Sequence, residues 1–484
     1  MTTGMIPSSD ISSTLDRKRA YTVLICDLIG LKIGKDGQPD ASEAKAHIEA
    51  KGGLFHHGAV EDAGALKVGT IHFFYQPDLS MAEDLIAAAG AGQYDAVIAA
   101  ATFLPAETVF PLGGVRIGAG TGNMGSRSWG GGSGEGGTAP LMNTPGINSR
   151  ATAQMVMKAI LKVLPDLPVD VLNDRVTKGD FDTGRDLRDY PTEKLEGKTI
   201  GIIGYGNIGR EVAKLARAFG MRVVIHARAR HKKWIESEGF VFGDALVSTA
   251  AGADVLSVHV GLGSLDPRSG RYANAGLING DVLSALTPGA VLVNYDRGEL
   301  VDVDALADAL ASGQIRHAAI DADLFKNAST AELSGPMAPY LQLVAAHRAK
   351  LELLPHAAAD TDHPSRVAGA KQAIDQIFDV ITGKFVTNLK GTPPDGYQSG
   401  GAKTPNGVGA ITAQDLLDAF HASGDAPQLA ALFGQQARLW SAVAMASEEE
   451  CASIRDANGE ALVEGINRLS RLIDKLSLSG PYQP

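Results

Sequence analysis

The 484-residue sequence predicts an α/β fold, with two doubly wound parallel-sheet domains and a C-terminal all-helical extension. Three observations carry this expectation. Short apolar, β-prone runs alternate with helix-like stretches from Tyr21 onward. A second alternating series begins near Lys198, and its runs are apolar at successive residues, as strands buried on both faces between helices must be. Beyond Ala410 only helical spacing remains.

Residues 1–20 are polar and read as an arm. Strands are then expected at Tyr21–Cys26, Gly69–Tyr75, Ala96–Ala99 and Val115–Ile117. Ten of the twenty residues from Gly118 to Gly137 are glycine, which no helix or regular strand tolerates, so a loop is expected there. After Asn143-Thr-Pro-Gly146 a helix should run from Ser149 to about Leu164. It is apolar on more than the single stripe one core needs, which points to a homodimer. The second series offers strands at Thr199–Ile203, Arg222–Ile225, Val255–Val260, Ala290–Asn294 and Ala318–Asp321, with helices such as Val303–Leu310 between them. A helix at Ala370–Thr382 precedes a linker rich in glycine and proline at 391–410. In the extension, 411–484, Thr412-Ala-Gln-Asp415 resembles a capping box and Leu462, Ile466, Leu469, Ile473 and Leu476 form one stripe. The expected domains are 21–148 with 354–390, and 149–353.

Composition narrows the class of function. A net charge of −11 disfavours a general role on nucleic acid or anionic membrane. Two cysteines are too few for a disulfide framework or a cysteine-rich metal site, and no metal is expected. The first twenty residues hold no apolar targeting core and no stretch reaches 18 uncharged apolar residues, so a soluble, cytoplasmic protein is expected.

Gly204-Tyr-Gly206-Asn207-Ile208-Gly209 follows the strand Thr199–Ile203 and opens a helix, Arg210–Phe219. In that context the first glycine permits the tight turn, the second admits a pyrophosphate, and the third lets the helix pack on the strand. A glycine-rich turn in an ordinary βαβ unit is the bland alternative. The next strand ends at Ile225, where an NAD site would place an acid to accept from the ribose hydroxyls; here the chain reads His226-Ala-Arg-Ala-Arg-His-Lys-Lys233. Arg228 and Arg230 could grip a 2′-phosphate, which favours NADP over NAD, against the plainer reading of a solvated basic helix start.

From roughly Tyr94 to Lys390 the sequence resembles the D-isomer-specific 2-hydroxyacid dehydrogenases. The resemblance rests on Asn143–Gly146, Gly204–Gly209, Ser257-Val-His-Val260, the run Pro288–Asp302 and Leu354-Pro-His356, and it implies two Rossmann-like domains, the first flavodoxin-like. It implies that Arg297 holds a 2-oxo acid and polarises its carbonyl, and that His356 is the acid/base. A guanidinium can stabilise charge developing on oxygen while an imidazolium supplies the proton. By the same resemblance Asp321 contacts the nicotinamide carboxamide, His259 and Val260 line the cofactor, and the backbone amides of Thr121 and Gly122 receive the substrate carboxylate.

The departures bear on substrate. Where the family carries a glutamate beside the histidine, this chain has Lys326, leaving Asp323 or Glu332 as substitutes, or a histidine that works without one. His-x-Pro becomes His259-Val-Gly261, and the Ala or Ser before the arginine becomes Asp296. The expected function is an NADP(H)-dependent oxidoreductase moving hydride between nicotinamide and a small, carboxylate-bearing 2-hydroxy or 2-oxo acid or related hydroxy compound. A redox-neutral enzyme retaining NADP, and a non-catalytic dinucleotide-binding corepressor-like protein, are the alternatives.

Overall fold

A computed structural model describes residues 15–401 except 17, 36, 166, 264, 265, 267, 327–329 and 357–361, together with Gly434 and Arg438. The expected arm, Cys451 and the helical extension with its capping box and apolar stripe lie outside the described residues. The chain forms two compact units. The first takes the described residues up to Asp27, Lys45–Ile147 and those from Ala370 on; the second takes Leu28–Ala44 and Asn148–Gly369.

In the first unit, strands β1 (Tyr21–Ile25), β2 (Leu54–His57), β3 (Ile71–Tyr75), β4 (Ala96–Ala99), β5 (Gly113–Arg116) and β6 (Leu141–Asn143) form a parallel sheet in the order β6-β5-β4-β1-β3-β2. Leu389–Lys390 adds an antiparallel edge against β6. Setting β2 aside, the order is the flavodoxin-like one. β2 and β6 were not expected from sequence: β2, LFHH, lies at the sheet edge and lacks a buried apolar run, and β6 is only three residues long.

The glycine-rich segment is a packed loop. Ser126 Oγ accepts from the Ser128 amide to start a short 3-10 turn, Arg127–Trp129, and Trp129 is fully buried, stacked on Phe110 with ring centroids 5.9 Å apart. Gly114 makes the room, since a Cβ there would lie 2.6 Å from the indole. Glycine is what this segment needs to fold its backbone tightly over its own tryptophan.

The second unit begins with helices α1 (Ser149–Ile160) and α2 (Val169–Thr177) and carries strands β7 (Thr199–Ile203), β8 (Arg222–His226), β9 (Val241–Phe242), β10 (Val255–Val258), β11 (Ala290–Asn294) and β12 (Ile315–Asp321). A small antiparallel hairpin, β13 (Phe325–Lys326) with β14 (Leu333–Ser334), and strand β15 (Leu351–Leu354) follow. The order β9-β8-β7-β10-β11-β12-β15 is the dinucleotide-fold order with one parallel strand added, and its direction of winding switches between β7 and β10.

Successive residues of β11 point into opposite cores. Val291 and Val293 pack with α1 and with α3 (Asn207–Ala218), whereas Ala290 and Leu292 pack with α4 (Val303–Ser312). This double burial is why the strands read as unbroken apolar runs. The apolar surplus of α1 is met inside the unit, because Ala153, Val156, Met157, Ala159 and Ile160 are buried in the core shared with α3. Among the apolar side chains that this unit exposes are Val169, Val171 and Val176 on α2, 52–63% exposed. Near the end, helix α5 (His363–Gly383) starts with His363, whose Nδ1 accepts from the amides of Leu31 and Lys32 at 2.9 and 3.2 Å, which holds the 28–44 segment in this unit.

Candidate active site

The turn after β7 is shaped by three glycines with different jobs. Gly204 has φ +103°, and a Cβ there would meet the His259 carbonyl oxygen at 2.0 Å, so only glycine lets the ends of β7 and β10 approach this closely. At Gly209 a Cβ would lie 2.2 Å from the Gly204 carbonyl, which fixes the contact of α3 with the turn. Around Gly206 nothing lies within 4 Å of the Cβ position. The first intrahelical bond runs from the Arg210 amide to the Gly206 carbonyl at 3.0 Å, leaving the amides of Asn207, Ile208 and Gly209 at the helix N-terminus without intrahelical acceptors.

A buried network ties this turn to the next element. Glu238 accepts from Arg210, from the Tyr205 hydroxyl and from Trp234 Nε1 at 2.9 Å, and both Tyr205 and Arg210 are buried. The short helix Lys232–Ser237 carrying Trp234 is thereby fixed against α3. Directly before it, Arg228 and Arg230 stand exposed, and neither pairs with a carboxylate among the described residues. His231, next after Arg230, is held below its usual range by burial and by both arginines.

Beyond β10, His259 is buried and its Nε2 shares a 2.7 Å hydrogen bond with Ser257 Oγ. Burial pushes its imidazole down to about 3, so it is neutral throughout the working pH range. Val260 packs beside it against the second core.

Arg297, Asp321 and His356 lie at one edge of the same sheet, each at or just past the carboxyl end of β11, β12 or β15. The turn carrying Arg297 is clamped from two sides: Asn294 Nδ2 donates to its carbonyl at 2.7 Å, and the buried Tyr340 hydroxyl donates to the Gly298 carbonyl at 2.5 Å. Asp321 is fully buried as the last residue of β12. His356 adopts a left-handed φ of +56°, its amide donates to the Leu354 carbonyl at 2.9 Å, and its Nδ1 is buried with no hydrogen-bond partner among the described residues.

Of the candidate substitutes for the family glutamate, Asp323 follows β12 and its carbonyl accepts from the Met337 amide, while Glu332 is exposed beside the hairpin. Lys326 is exposed on β13. Asp296, noted in the sequence only as a departure, sits partly buried between β11 and Arg297. Thr121 and Gly122 belong to the other unit, where Thr121 Oγ1 donates to the Gly132 carbonyl at 2.7 Å and so fastens the substrate-loop candidate to the glycine-rich segment.

The space at Gly206, the amides at the start of α3 that have no intrahelical acceptor, Asn207 Oδ1 and His259 Nδ1, which have no partner among the described residues, and the exposed arginines fit a dinucleotide lying over the switch point of the sheet.

Comparison with known proteins agrees with this geometry. Residues 168–357 match the family model for the NAD-binding domain of D-isomer-specific 2-hydroxyacid dehydrogenases. The chain is 33% identical over 259 residues to a glyoxylate reductase from Aeropyrum pernix, covering 51% of this chain and 68% of that protein. It is 28% identical over 253 residues to a D-3-phosphoglycerate dehydrogenase from Methanocaldococcus jannaschii, covering 52% of this chain but only 43% of that longer relative. Among solved structures, a glyoxylate reductase from Paecilomyes thermophila superposes with a TM-score of 0.50 at 21% identity, over 76% of this chain and 98% of that one, a likeness of fold. At 33% identity over two thirds of the Aeropyrum pernix relative, and with residues 168–357 matching the family model, the chain belongs to the D-isomer-specific 2-hydroxyacid dehydrogenase family.

Proposed function

We propose that the protein is an NADP(H)-dependent oxidoreductase acting on a small, carboxylate-bearing 2-hydroxy or 2-oxo acid or a related hydroxy compound. The observation that carries this reading is the placement of Arg297 and His356 at the carboxyl edge of the sheet whose switch point holds the glycine turn. When bound, the nicotinamide supplies or takes up the hydride. As the carbonyl oxygen gains charge, Arg297 stabilises it from a turn that Asn294 and Tyr340 keep from moving. His356 as imidazolium delivers the proton to that oxygen, and as neutral imidazole it accepts the hydroxyl proton in the reverse direction. Asp321 orients the carboxamide, His259 and Val260 line the cofactor, and the amides of Thr121 and Gly122 receive the substrate carboxylate. Unit 2 is then the nucleotide domain and unit 1 the substrate domain, and the molecule works as a cytoplasmic homodimer.

The preference for NADP is supported by Ala227 after β8 and by the exposed Arg228 and Arg230, which pair with no carboxylate among the described residues. Losing one charge-assisted phosphate contact should weaken NADP by about 1.5 to 3 kcal/mol, roughly tenfold or more. Titrating NADP and NAD against wild type and Arg228→Ala checks this, and equal affinities in wild type would refute the preference. The activity itself is checked by following oxidation of NADPH with a panel of short 2-oxo acids; no turnover with any, in either direction, would overturn it.

A further inference from the structure

Strand β15 carries His356 from the edge of the sheet. It has four residues, each partly buried, and as the last strand in the sheet order it is laddered on one side, to β12. A strand so short and so placed is a loose mount for a proton donor whose distance from Arg297 must be kept. Arg297 stands past β11, on the other flank of β12, so two strand spacings, about 10 Å of backbone, separate the two mounts. A side-chain bond crosses this gap. Tyr295, one residue past β11 and two before Arg297, donates its hydroxyl to the carboxylate of Glu352 on β15, four residues before His356. The register lets it pass. Ala319 of β12 is paired with Val293 on one side and with Glu352 on the other, shares a core with Tyr295, and ends at Cβ, which leaves the phenol room to cross β12.

We propose that Tyr295 and Glu352 are a positioning pair for the reaction: their hydrogen bond straps the edge strand bearing His356 to the strand end bearing Arg297, fixing the spacing between proton donor and carbonyl-polarising group. They act through Arg297 and His356 rather than on the reacting atoms. Both groups suit the contact. Burial and the neighbouring carboxylate push the Tyr295 phenol up, so it keeps its proton and donates. Glu352 is held below the usual carboxylate range by His317, whose Nε2 lies 3.8 Å away, and by the Tyr295 hydroxyl, against the opposing effect of burial, so it is ionised at neutral pH. A hydrogen bond to an ionised acceptor is among the strong ones.

This inference rests on Arg297 and His356 being the reacting pair, yet its first readout needs neither substrate nor cofactor. Hydrogen exchange is followed by mass spectrometry in wild type, Tyr295→Phe, Glu352→Ala and Glu352→Gln. Residues 351–356, where the His356 amide donates to the Leu354 carbonyl, should exchange about tenfold faster in Tyr295→Phe and Glu352→Ala, while β7, in the core that Tyr295 shares, keeps its wild-type rate. Glu352→Gln still offers an oxygen to the phenol and should recover most of the protection. Reductive kcat should follow the same order, falling about tenfold or more in the first two variants with KM and the dinucleotide Kd little changed. Combining Tyr295→Phe with Glu352→Ala should cost no more than either alone. Unchanged exchange at 351–356, acceleration shared equally by β7, faster exchange with kcat unaltered, or Glu352→Gln as impaired as Glu352→Ala overturns the proposal. If Tyr295→Phe does not fold, Glu352→Ala, at the partly exposed edge strand, decides by the same outcomes. A wild type inert toward every 2-oxo acid, with the exchange pattern as expected, would count against the enzymatic reading while supporting the strap.

Discussion

Asp296 is held in the fold at a cost. Its carboxyl is raised to about 6 chiefly by burial, so folding favours the protonated form. Stability from this group is therefore complete below the ordinary aspartate range near pH 4 and is lost as pH rises through about 6. Asp296→Asn, which removes the charge and keeps the shape, should stabilise the protein at pH 7 by about 1 to 3 kcal/mol and leave it unchanged at pH 4. Urea unfolding at the two pH values measures this, and a variant destabilised at pH 7 would show that the ionised carboxylate is well compensated. The residue is visible in the sequence as an acid beside Arg297. Its burial is not, because that depends on how the turn after β11 packs in the folded unit. Arg297, Asp321 and His356 stand in short contiguous runs that the sequence displays, and no comparable run marks a substitute for the family glutamate.

At the scale of elements, the glycine turn separates folding from binding. Gly204→Ala forces a side chain onto the His259 carbonyl at positive φ and should destabilise unit 2 by about 2 kcal/mol or more. Gly206→Ala meets open space, so its Tm should stay within about 2 °C of wild type while dinucleotide affinity falls at least tenfold. Calorimetry of each variant with and without NADP separates the two. The turn was readable because its motif is continuous with β7 and α3. The Tyr205–Arg210–Glu238–Trp234 network was not, since Arg210 and Glu238 lie 28 residues apart and pair only after β8 folds. Glu238→Ala leaves Arg210 without this buried partner and should cost about 3 kcal/mol in urea unfolding. It should also loosen the segment bearing Arg228 and Arg230, weakening NADP more than NAD. Similarly, the glycines of 118–137 read as a loop, but Trp129 filling the core could not be inferred without knowing that Gly114 lies beneath it.

Over the whole molecule, the alternation of apolar runs and helices foretold both sheets, while the two strand orders and the assignment of 28–44 to the second unit depend on contacts such as those of His363 with Leu31 and Lys32. The expected homodimer has a different apolar surface to use than the helix that suggested it, because α1 is consumed by its own core and α2 exposes Val169, Val171 and Val176. Light scattering at micromolar concentration should give twice the chain mass, and Val169→Glu with Val171→Glu should halve it. A wild-type monomer would remove the dimer. The central claim is that Arg297 and His356 on one sheet edge reduce a 2-oxo acid. It is tested most directly by NADPH consumption with a panel of short 2-oxo acids by wild type, Arg297→Ala and His356→Ala, all shown to be folded. Wild type should turn over at least one acid, with kcat/KM lower by about a hundredfold or more in each variant; a wild type inert toward the whole panel, or variants as active as wild type, would contradict it.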